Sequence, residues 1–126
     1  MKFKYAALLL LVSASLLGDD SVNPACKTDK RVVAACFKVY GRLSNWNGNP
    51  TRRIWIIGTK RVLGIREDTE LPRALTSREA DFDNVETGDF EVCPLTRERK
   101  GWMQIVCVAS ASHVKFSKRN SQPTDD

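Results

Sequence analysis

Hydrophobic and polar residues change their pattern sharply along this chain. The first stretch is an apolar run from Tyr5 to Leu17, broken only by Ser13 and Ser15. Lys2 and Lys4 precede it, and Gly18, Asp19 and Asp20 end it. A charged start, a short apolar centre and a small-residue exit are the parts of a secretory signal peptide. About thirteen residues are too few to span a hydrocarbon core, which needs ~20 in a helix. Residues 1–18 are therefore read as a signal peptide, and the mature protein as exported, periplasmic or extracellular, with no transmembrane segment left after processing. Residues 19–32 are polar and aperiodic and read as a flexible leader.

From Val33 onward the period becomes two, the signature of strands. In Val33–Leu43 the residues Phe37, Val39 and Gly41 share one face, while Lys38, Tyr40 and Arg42 share the other. Gly41 inside the run predicts a kink or bulge. Asn47-Gly48 within Asn45–Pro50 is a hairpin signal. Arg52–Ile57 is apolar on both faces and predicts an interior strand with Trp55 in the core. After Gly58-Thr59, Lys60–Ile65 continues as a third strand or as the same strand beyond a bend. Pro72 suits the first position of a short helix over Pro72–Ala80. Asp89–Leu95 and Trp102–Val108 are further strands, the second extending toward Phe116, and Pro94 marks an irregular end.

Strand, strand, strand, short helix, strand, strand is the element order of a small five-stranded OB-like barrel, a mainly β fold with its helix between strands 3 and 4. The domain is placed at 33–116 and a disordered tail at 117–126. Once the signal peptide is removed, about 108 residues remain, enough for one modest core.

The four cysteines, Cys26, Cys36, Cys93 and Cys107, are an even set in an exported small domain and read as two disulfides. A three-residue turn at Arg99–Gly101 sets Glu98 opposite Trp102 and, counting outward, Cys93 opposite Cys107. Facing residues at a non-hydrogen-bonded pair are close enough to bridge. The expected pairing is Cys93–Cys107 and, by elimination, Cys26–Cys36. No Cys-x-x-Cys or neighbouring histidine supports a metal site or thiol chemistry, so no metal and no cofactor is expected.

The net charge of +5 falls to +3 when Lys2 and Lys4 leave, which is ordinary for a soluble domain. It is unevenly spread: Arg52, Arg53, Lys60, Arg61 and Arg66 crowd one segment, and Glu79, Asp81, Asp83, Glu86, Asp89 and Glu91 a later one. The acidic loop 81–91 opens like an EF-hand but lacks its turn glycine and a ligand, leaving only a looser cation site. The single histidine, His113, has no triad around it, and there is no nucleophile elbow, phosphate loop or dinucleotide fingerprint. Catalytic residues are thus not assigned. Aromatic and basic residues that would meet on an OB-type face and its rim are Tyr40, Arg42, Trp46, Arg53, Lys60, Arg61 and Trp102.

The run Cys36–Ser44, Asn47–Pro50, Arg53-Ile-Trp, Gly58–Gly64, Asp89–Thr96 and Met103–Val108 resembles a family of small exported bacterial proteins of no known activity. That resemblance covers about residues 35 to 112, implies a shared fold and export, and transfers no site residues. The expected function is a non-enzymatic binding or envelope-supporting module whose partner is a polyanion, a glycan or an envelope protein. The alternatives are a small hydrolase using Asp81, Asp83 or Glu86, and a structural or inhibitory protein partner.

Overall fold

The computed structural model describes residues 20–76 and 82–119. The segment expected to be a signal peptide, the chain beyond Arg119, and Glu79 and Asp81 lie outside the described residues.

The strands are β1 (Phe37–Asn45), β2 (Arg52–Ile56), β3 (Val62–Ile65), β4 (Asn84–Pro94) and β5 (Gln104–Lys118). Two single-turn helices, α1 (Pro24–Lys27) and α2 (Arg73–Thr76), complete the set. The fold is mainly β, and its sheet closes on itself in the order β1-β2-β3-β5-β4. Neighbours are antiparallel except β3 and β5, which run parallel over Leu63–Ile65 and Gln104–Val106.

The alternation read in β1 is what the sheet uses. Gly41 and Leu43 are buried, while Lys38 and Tyr40 are exposed. The inner faces bring Ile54, Leu63, Ile65, Phe90, Val92, Val106 and Val108 together at 0–1% exposure. Gly41 is the closest approach in this core. A Cβ there would stand 2.5 Å from Ile54 Cγ2. Directly opposite it in register is Gly88, which faces the backbone of β5 at a bulge. Two facing glycines let the sheet bend where side chains would hold it open.

Several expectations need correction. The leader is not loose. Asn23 N–H donates to Ala109 O at 2.8 Å, Ala111 N–H donates to Ser21 O, and the buried Asn23 amide donates to Glu70 O and Val108 O. This strap covers the edge of β5 beyond the short β3 pairing. The tail boundary also moves, because β5 runs through Ser117 and Lys118. Most of the acidic loop is strand, since β4 begins at Asn84 and carries Glu86, Asp89 and Glu91. Residues 62–65 form a separate strand after a turn, not a continuation of β2.

The disulfides join Cys26 to Cys107 and Cys36 to Cys93, so the expected Cys93–Cys107 and Cys26–Cys36 pairing is wrong. The register was right: Cys93 does face Cys107. The error lay in the ladder's phase. Leu95 N–H donates to Ile105 O, so 95 and 105 form a hydrogen-bonded pair, and by alternation 93 and 107 form another. At such a pair the backbones stand further apart and side chains do not meet closely. Toward β1 the phase is opposite. Continuing the Phe37↔Val92 register sets Cys36 against Cys93, with Cα atoms 4.1 Å apart. Cys107 is left to take Cys26 from the strap. Two disulfides fit an oxidising compartment. Among the described residues no helix is long and apolar enough to cross a membrane.

Candidate functional site

The outward residues of β1 and β2 are set by the same alternation that builds the core. Register pairs Arg42 with Trp55 and Ser44 with Arg53, and on β3 Val62 faces Trp55. Trp55 therefore lies on the outer surface, half-buried, and the core position expected for it is a correction. Its indole N–H donates to Thr59 O at 2.7 Å, which ties the ring to the β2–β3 turn. β2 reads as apolar on both faces because the outer one is covered by stacked side chains rather than by another layer.

Those stacks pair arginines with indoles. Arg42 Cζ lies 5.1 Å from the centre of the Trp55 ring. Trp46, in the β1–β2 loop, is approached by Arg53 at 5.8 Å and by Arg119 at 5.0 Å. At the far end of the face, Arg99 lies 4.5 Å from the Trp102 ring. Backbone oxygens hold these cations in place: Arg53 Nε donates to Pro50 O at 2.9 Å, and Arg119 Nη2 to Asn45 O at 2.6 Å. The Trp46 indole N–H donates to Ser44 Oγ at 2.9 Å.

Among the described residues no carboxylate lies within ion-pair distance of Arg42, Arg53, Arg99 or Arg119. Arg42 Nε is buried without any acceptor. The carboxylates nearby are taken elsewhere. Asp89 Oδ2 is 3.0 Å from His113 Nδ1, and Glu91 is 3.2 Å from Lys27. Arg31 grips Asp29 at 2.7 Å and Asp68 at 3.0 Å, and its hydrogen bonds hold both carboxyls below the usual carboxylate range.

The expected site residues divide accordingly. Tyr40, Arg42, Trp46 and Arg53 share the outer face, and Tyr40 is 55% exposed. Lys60 sits exposed in the β2–β3 turn. Trp102 is 66% exposed on the β4–β5 loop. Arg61 has another task. It turns over the Phe37 ring at 5.4 Å, bonds the buried Gln104 side chain and stands 3.8 Å from Glu98, so it closes one end of the core. Trp55, Arg99 and Arg119 lie outside the expected site set: Trp55 is expected in the core, Arg99 only as a basic neighbour of the aromatics, and Arg119 not at all. Arg119 lies just past the end of β5, in the segment expected to be tail, and carries no signal in the sequence.

The carboxylates proposed for hydrolysis are strung along β4 and the bend before it. Asp83 precedes the strand, Glu86 faces Leu43 and Phe116, and Asp89 faces Tyr40 and Ser112. His113 sits at a strained position with φ 52° and is paired with Asp89. The sulfurs of Cys26, Cys93 and Cys107 cluster within 4.8 Å, but all are in disulfides and offer no thiolate to a metal. Comparisons with protein-family models, curated proteins and solved structures return no match to this chain.

Proposed function

We propose that this protein is an exported, non-enzymatic module of OB-like type that binds a polyanion on the outer face of β1–β3. The OB-like reading draws support from the strand order, from the parallel β3–β5 contact that closes the sheet, and from α2 lying between β3 and β4 in the chain. Export draws support from the two disulfides and from the charged-then-apolar pattern of residues 1–18.

One observation carries the binding reading: Arg42, Arg53 and Arg119 are held on indole rings, and among the described residues no carboxylate lies within ion-pair distance of them. A stacked guanidinium has lost part of its rotamer freedom before any ligand arrives, so less is lost on binding. Its N–H edge remains to meet a phosphate, sulfate or carboxylate in a bidentate fork. An anionic glycan and a nucleic acid share this chemistry; a neutral glycan does not call for it. The test is titration of the purified mature protein with a heparin-like polyanion by calorimetry. Saturable binding that Arg53→Ala weakens supports the reading; no binding at low salt removes it.

A further inference from the structure

The arginine-on-indole stacks are not evenly placed, and their spacing says how long the ligand must be. One group, Trp46 with Arg53 and Arg119, lies at the β1–β2 loop. The other, Trp102 with Arg99, lies on the β4–β5 loop. That loop is held by a turn in which Trp102 N–H donates to Arg99 O at 3.0 Å and Gly101 takes φ 82°. The cleft beside it is lined by Val62, Glu98 and Gln104, and Val62 faces Trp55 across β2–β3, so the route over the outer side of the sheet from one group to the other passes the Arg42–Trp55 pair. From Trp46 to the Arg42–Trp55–Val62 row is about 13 Å along the strands, at ~3.3 Å per residue. From β1 across β2 and β3 to the far loop is about 14 Å at ~4.8 Å per strand, which gives a path of about 20 Å over the curved outer surface of the closed sheet.

The stacks also say what is read. At Trp46 and Trp102 the arginines lie over the rings, so these aromatics orient guanidinia rather than offer themselves as bare platforms for bases or sugars. Resting on the polyanion reading above, we infer that the face takes a linear polyanion by its charges alone, anchored at both arginine-on-tryptophan groups. A chain shorter than about 20 Å reaches only one anchor. A longer one engages both, and the second contact becomes intramolecular.

The experiment uses the mature protein and chains of about three and about twelve phosphates, which at ~3.4 Å per phosphate fall short of, and exceed, the span. Each length is supplied as oligothymidylate and as the abasic deoxyribose phosphate chain, with a sulfated glycan of matched length as a third arm. The expected result is affinity rising by about ten-fold or more beyond a simple count of charges, equally for thymidylate and abasic chains. Arg99→Ala removes that gain, so that the long chain binds no better than its charge count predicts, with an unaltered thermal melt as the folding control. Affinity that tracks length smoothly in wild type and Arg99→Ala alike overturns the two-anchor inference while keeping polyanion binding. A large advantage of thymidylate over abasic chains overturns reading by charge. Failure of every chain to bind overturns the underlying reading instead.

Discussion

Arg42 and Trp55 are cross-strand partners, directly opposite in the β1–β2 register, with the guanidinium carbon 5.1 Å from the ring centre. The pair lies midway on the outer face. It keeps a cation at the surface whose buried Nε has no hydrogen-bond acceptor among the described residues. If the ring's task is to orient the arginine, Trp55→Leu keeps every charge and loses only that orientation. An exposed cation–π contact is worth ~0.5–1 kcal/mol, so polyanion affinity is expected to fall about 2–5-fold with an unchanged salt dependence. Calorimetry at two salt concentrations measures both quantities.

The disulfide pattern gives a prediction independent of function. Digestion without reduction should release linked peptides containing Cys26 with Cys107 and Cys36 with Cys93, identified by mass. These bridges close separations of 81 and 57 residues, and removing either pair by serine substitution should cost ~2–5 kcal/mol in denaturant unfolding. A Cys93–Cys107 peptide would contradict the ladder phase.

Gly41→Ala tests the closeness of the core. The added methyl meets Ile54 Cγ2 at 2.5 Å and Trp55 O at 3.1 Å, against an Ile54 side chain with no exposed surface. Overpacking of this kind costs ~1–3 kcal/mol, read as a lower urea midpoint with the slope unchanged.

Acid should loosen the contact between the leader strap and the segment after β3. Arg31 hydrogen bonds depress the Asp29 and Asp68 carboxyls, so folding favours their ionised forms. The stabilisation is present above the ordinary carboxylate pKa of ~4 and is lost as pH falls below it, through the depressed values. Thermal melts of wild type and Arg31→Met should therefore differ most near neutral pH and converge in acid. A gap that widens in acid would contradict this sign.

The β1 alternation, the Asn47-Gly48 hairpin and the Cys93↔Cys107 register could be read from the chain because each depends on local spacing. The bridges could not. Whether facing cysteines bond depends on which pairs in the ladder carry hydrogen bonds, a phase that sequence does not print. Trp55 was misplaced because flanking isoleucines look the same whether a strand is buried on both faces or covered on one by its own arginines. Parity along β1 placed Tyr40 and Arg42 on one outward face, while Trp46 and Arg53 were singled out from the turn and the basic cluster. Arg99 and Arg119 joined them only through the closure of the sheet, which brings β5 and its loop around to β1 and β3. The leader strap was missed for the same reason: its partners, Val108, Ala109 and Ala111, lie more than eighty residues away in sequence.

The most direct test of the account is the salt dependence of polyanion binding in wild type and in Arg42→Ala/Arg53→Ala, compared at equal folded fraction. The expected result is a linear fall of log affinity with log salt, and a slope reduced by about 0.7 for each arginine removed that meets a phosphate of a single strand. An affinity insensitive to salt, or a double variant with the wild-type slope, would contradict the claim that these stacked arginines form the binding surface.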